Sequence, residues 1–241
     1  MPIHDWHRVE PGLFHHFHQL WSVEFCNALN QGILPSDFFA LVETKTSGFT
    51  PDILALKRTS PLAPAEPGGV AVAAAPPRAR HFVRETAEQT YVRKANRVAI
   101  RTALGELVAV VEIVSPGNKS HQRAFETFVG KVVGFLNRGV NVLLVDLFPP
   151  SRRDPFGIHH AIWSDIEDGP FALPPDKPLT VAAYSADPCE GYVEPVAVGD
   201  PLPSLPLFLA PGLYVPAPLE GTYAAAWAKC PAPFREAVAP E

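Results

Sequence analysis

The sequence predicts an α/β protein with a mixed central sheet, and three observations carry that expectation. "ELVAVVEIVSPGNK" (106–119) reads as a buried strand that runs into a glycine-bearing turn, and "NVLLVDLF" (141–148) as a strand covered on both faces. Between them Phe125, Phe128, Val129, Val132, Phe135 and Leu136 form one apolar stripe at helical spacing. Strand, helix and strand make a crossover unit whose two strands run parallel. Upstream, "FFALVET" (38–44) and "DILALK" (52–57) flank "KTSGFTP", a pattern that fits strand–turn–strand.

The elements follow in order. Residues 11–31 predict an amphipathic helix, with Phe14, Phe17, Trp21, Phe25 and Ala28 at spacings of three and four and Gly32 at its stop. Residues 60–77, rich in Pro, Ala and Gly, read as a flexible excursion. "TYVRKANRVAIRT" (90–102) suggests a strand of imperfect alternation, and a turn near Leu104–Gly105 leads into the buried strand. Ser120 is the expected cap of the next helix and Gly139 its end. The expected core spans about 11–148 of a single domain, 1–241. Eighteen of the 28 prolines lie at or after Pro149, so 149–241 reads as a proline-rich arm over the core. Within it a helix at 157–166, a strand at 179–185 and a helix at 219–230 stand out.

Composition narrows the function classes. The chain has 241 residues, 47% hydrophobic and 19% charged, enough for one sizeable core. No run approaches about 18 uninterrupted apolar residues, so no membrane partner is expected. The N-terminus lacks the order of a secretory signal, and Cys26, Cys189 and Cys230 are too few and too scattered for a disulfide framework; the cytoplasm is the plain expectation. The net charge is −5, yet residues 78–138 hold eleven basic against five acidic residues, +6 in all. A locally basic stretch suits phosphate as readily as it suits ordinary solvated faces.

Three residues fall where chemistry is usually built. Asp52 opens the second strand, Glu112 lies in the most hydrophobic strand just before its turn, and Lys131 sits on the flank of the helical stripe, where it leans toward the strand ends. This arrangement resembles the PD-(D/E)XK nuclease superfamily, whose signature is Pro-Asp, an acid on the next core strand, and a lysine. It looks more specifically like the Uma-type family of restriction-endonuclease-like proteins, through Glu112, Ser115, Pro116, Lys131, Gly139, Val140, Val145 and Asp146. Over nearly its whole length, through "MPIHDW", "GLFHHFHQLW", "VEIVSPGNK", "VDLFPP" and "RDPFGIH", the chain also resembles a bacterial domain-of-unknown-function family, the one numbered four thousand and fifty-eight. That second likeness implies no established activity.

The first likeness implies a restriction-endonuclease-like core of αβββ(β)αβ order and a metal-dependent nuclease-like activity on nucleic acid. Asp52 and Glu112 would bind Mg²⁺ or Mn²⁺, which prefer hard oxygen ligands and acidify bound water. The usual lysine position, two after the acid, is Val114 here, so the likeness points to Lys131, with Lys119 in the turn as a second candidate. Other readings stand beside it. Glu112 can equally be a structural partner of Lys131, Lys119 or Arg123, and the fold can serve as an inactive scaffold or binding module. The arm can also dock on a second copy in a homo-oligomer. The histidines of "HHFH" and the adjacent His159 and His160 lack metal-ligand spacing, Ser115 lacks a nucleophile elbow, and no phosphate-cradling loop occurs.

Overall fold

The computed structural model describes residues 1–42, 53–57, 81–84, 101–102, 105–164, 166, 169 and 171–238. Asp52, the 60–77 excursion and most of the 90–102 strand expected from sequence lie outside them. Among the described residues the strands are β1 (Phe38–Leu41), β2 (Ile53–Lys57), β3 (His81–Arg84), β4 (Arg101–Thr102), β5 (Gly105–Ile113), β6 (Asn141–Asp146), β7 (Leu179–Ala186), β8 (Cys189–Val196), β9 (Pro206–Ala210) and β10 (Leu213–Pro216). The principal helices are α1 (Pro11–Ala28), α2 (Gln122–Asn137), α3 (Ile158–Trp163), α4 (Leu219–Lys229) and α5 (Ala232–Val238).

The main sheet has the order β1-β2-β5-β6-β7-β8-β3, with β4 also paired to β5. Strands β5 and β6 run parallel, with Glu112 opposite Leu144, and every other pair in this sheet is antiparallel. The parallel pair follows from α2, whose crossover returns the chain to the same end of the sheet. The sheet is therefore mixed, as expected, and both of its faces are covered. Helices α1, α4 and α5 and the β9–β10 ribbon bury one face, while α2 and α3 bury the other. Strand alternation assigns β5 between these layers: Ala109, Val111 and Ile113 face α1, and Val110 and Val114 face α2.

Local chemistry accounts for the helix ends. Pro11 starts α1, where its missing N–H costs nothing. The helix then closes through a wide turn, Leu29–Ile33, in which Gly32 adopts φ 117°. Phe14, Phe17, Trp21 and Phe25 are fully buried along α1, each worth roughly 1.5–3 kcal/mol of transfer free energy. At α2 the cap is His121 rather than Ser120. His121 is extended, and its Nδ1 accepts from the amide of Ala124 at 3.1 Å. Ser120 is already in helical geometry and donates its hydroxyl back to Gly117. Gly139 closes α2 at φ 80°, as its position suggested.

The C-terminal part departs most from expectation. It is not simply an arm, since β7 and β8 are fully built into the sheet and β7 pairs directly with β6. The proline-rich 201–218 stretch does stay out of the main sheet: β9 and β10 form their own two-stranded ribbon. Helix α4 packs its Leu219, Tyr223 and Ala226 into the α1 core. There the Tyr223 hydroxyl meets His4 and Trp6, and Trp21 donates its indole N–H to Thr222 at 3.0 Å. Burial, with a smaller contribution from the N-terminal ammonium, pushes the His4 imidazole down to about 4. No helix among the described residues is long and apolar enough to cross a membrane.

Candidate functional site

The C-terminal ends of the two parallel strands place two ionic clusters side by side. This is where an α/β sheet ordinarily presents its chemistry, because adjacent crossover loops part there. The first cluster explains the carboxylate in the most hydrophobic strand. Glu112 is 1% exposed and carries its side chain toward α2, where Lys131 Nζ donates to its Oε2 at 2.6 Å. Lys131 lies one turn along from Phe128, and its ammonium also sits 5.0 Å from the centre of that ring. A carboxylate isolated at this depth would cost several kcal/mol or take up a proton. The ammonium offsets that cost, and it reaches Glu112 because Lys131 flanks the buried stripe.

The second cluster gathers Lys119. Its Nζ lies 2.6 Å from Asp146 Oδ2 and 2.8 Å from Asp154 Oδ2, and it donates to the carbonyl of Phe148 at 3.2 Å. All three side chains are nine-tenths or more buried. The remaining carboxylate oxygens are taken locally: Asp146 Oδ1 accepts from the amide of Phe148, and Asp154 Oδ1 accepts from the amide and hydroxyl of Ser151. Burial opposes the charge on Lys119, but the two carboxylates outweigh it and hold the ammonium above the ordinary lysine range. Burial likewise pushes the Asp146 carboxyl up, against the pull of Lys119 and the Phe148 amide. An ammonium has three N–H donors, and here three acceptors surround it. Lys119 thus ties the β5–α2 turn, the end of β6 and the 151–157 loop together.

Lys131 faces outward as well as inward. It lines a recess of about 380 Å³ with Asn118, His121, Arg123, Thr127 and Phe128. Among the described residues, no acidic side chain belongs to that lining. The His121 Nδ1 is committed as an acceptor to the α2 amide, which assigns the neutral ring's proton to Nε2. Arg123, Lys131, the Asn118 amide and His121 Nε2–H supply donors, and the recess opens over the first turns of α2, where the helix dipole favours an anion.

The structure therefore brings Glu112 and Lys131 together and places Lys119 in a separate, neighbouring cluster. Asp52 lies outside the described residues; β2, which follows it, starts at Ile53 opposite Val111, the residue before Glu112. The donor chemistry of Glu112 suits Mg²⁺ or Mn²⁺. Among the described residues, no group of three or more His, Cys, Asp or Glu side chains is arranged to hold a metal ion. Sequence reasoning missed Asp154, which "RRDP" presented as an ordinary charged turn, and the place of His121 as helix cap and recess lining. The Ser151-x-x-Asp154 spacing was the available signal for the former. His159 is buried, 2.8 Å from the Tyr184 hydroxyl, and His160 packs edge-to-face against Phe156.

Comparison with protein-family models, with curated proteins and with solved structures found no match.

Proposed function

We propose that the protein is a metal-dependent, nuclease-like phosphodiesterase acting on nucleic acid, with Glu112 and Lys131 at its reacting centre. One observation carries the reading: Lys131 is shared between a buried carboxylate at 2.6 Å and an open recess whose described lining holds donors and no acid. A phosphodiester seated in that recess meets Arg123 and His121 Nε2–H on the wall and Lys131 on the floor. The ammonium stabilises charge that grows on the phosphoryl oxygens and orients the attacking water. Glu112, with Asp52 as the second acid, would hold Mg²⁺ or Mn²⁺, which supplies acidified water and charge neutralisation. Support for a restriction-endonuclease-like core comes from the order helix, antiparallel strands, helix, strand, with β6 parallel to β5.

The test is cleavage of labelled single- and double-stranded DNA and RNA with Mg²⁺ or Mn²⁺, wild type beside Glu112→Gln and Lys131→Met. Cleavage that disappears in both variants while their spectra stay native supports the assignment. Cleavage that survives Glu112→Gln refutes it. A second reading, an inactive scaffold or binding module, is favoured by the neutralisation of Glu112 by Lys131. It expects Arg123-dependent binding of oligonucleotides without cleavage at any metal concentration.

A further inference from the structure

On the opposite face of the sheet, a second recess of about 780 Å³ opens between the N-terminal segment, the turn after β8 and helix α5. Its size falls within the roughly 300–1,000 Å³ typical of small-molecule pockets. Ile3, Val9, Val198 and Val238 give it apolar walls, and His4 and Arg8 bring polar groups to it.

The hydrogen bonds fix what those polar groups offer. The Tyr223 hydroxyl accepts from the amide of His4 at 3.1 Å and from the indole of Trp6 at 3.0 Å. With both lone pairs used, its own proton goes to His4 Nδ1, 2.8 Å away. His4 is therefore the neutral tautomer protonated on Nε2, and its ring is held flat against Trp227 with centroids 3.7 Å apart. Its remaining polar edge is a donor. At the mouth, Arg8 is 83% exposed, and its Nε engages Asp5 Oδ2 at 2.9 Å. That contact engages one oxygen of Asp5, the one acid among the described lining residues, and leaves the two terminal nitrogens of the guanidinium as donors. His4 and Arg8 thus present donors beside an aliphatic wall, with Asp5 drawn to the Nε edge of the guanidinium.

We infer that this recess binds a small aliphatic carboxylate, its tail against Val9, Val198 and Val238 and its oxygens received by Arg8 and the Nε2–H of His4. An ammonium would sit beside the guanidinium and compete with it for Asp5, and an alcohol forgoes the guanidinium. This site is independent of the Glu112–Lys131 centre.

Calorimetric titration of the full chain with octanoate, octylammonium and octanol tests the inference, with the fluorescence of Trp227 as a second readout. Octanoate is expected to bind saturably, about tenfold or more tighter than either analogue. Arg8→Glu and Val198→Asp change exposed side chains, at 83% and 49%, so both are expected to fold and to weaken octanoate by about tenfold. Absence of octanoate binding at millimolar concentration overturns the proposal. So does octylammonium binding as tightly, or octanoate affinity unchanged in both variants.

Discussion

Replacing Lys119 by Met removes one ammonium from between two buried carboxylates, and the structure sets the size of the effect. At 2.6 and 2.8 Å, each contact carries roughly 6 kcal/mol of Coulomb attraction at an effective dielectric near 20, most of it spent against desolvation. Breaking such a buried pair from one side costs about 3–5 kcal/mol, and here the two aspartates are also left facing each other. For a chain of this size, with a urea slope of about 2–3 kcal/mol per molar, the midpoint falls by about 1–2 M. The sign with pH follows. Without the ammonium, burial disfavours the charged Asp146 carboxylate with less to oppose it, and the folded state binds a proton there more readily than the unfolded chain. Stability of the variant therefore rises as pH falls from 7 toward 5. The triple variant Lys119→Met/Asp146→Asn/Asp154→Asn is expected to recover most of the loss. Equilibrium urea unfolding at both pH values measures all of this. A midpoint shift below about 0.3 M with no pH dependence would falsify the clamp and reopen Lys119 as a free catalytic group.

Three further outcomes are expected. Glu112→Gln and Lys131→Met each destabilise by about 2–4 kcal/mol, and a double-mutant cycle shows them coupled by about 1–3 kcal/mol; strict additivity would mean that the 2.6 Å contact is not energetically real. Tyr223→Phe leaves the His4 amide and the Trp6 indole without their acceptor and costs about 2–4 kcal/mol, seen as a fall in thermal midpoint, whereas a loss under about 0.5 kcal/mol contradicts the shared hydroxyl. His4 is held down to about 4 from an ordinary 6.5, so the unfolded chain takes up its proton first, and stability present above pH 6.5 is lost as pH falls toward 4. After allowance for solvent screening this amounts to about 1–2 kcal/mol, and His4→Asn flattens the profile between those limits.

How much was legible in the sequence depended on how locally each feature is determined. The β5–α2–β6 unit showed itself because its apolar periods change from a strand to a helix and back within about forty residues, and a crossover has one allowed hand. The Lys131 position was readable for the same reason, since the helical angle from Phe128 is a local property. Strand β3 escaped notice because four residues, "HFVR", carry too little pattern; what makes them a strand is pairing with β8, more than a hundred residues later. Residues 149–241 suggested an arm because their prolines suppress strand propensity, yet β8 runs next to β7 with Pro195 opposite Thr180. The Lys119 cluster is a tertiary fact: its three charged members come from a turn, a strand end and a loop, and no spacing rule connects them.

The seal between α1 and α4 bears on how the chain is made. Trp21 and Thr222 are 201 residues apart, and closing a loop of that length costs roughly 5 kcal/mol before any packing is gained. Synthesis delivers Phe14, Phe17, Trp21 and Phe25 about two hundred residues before Tyr223, at about 5–20 residues per second. For some 10–40 seconds, then, the most aromatic face of the protein waits for the α4 part of its cover. The fold thus commits this chain to an early helix whose last cover is synthesised long after it.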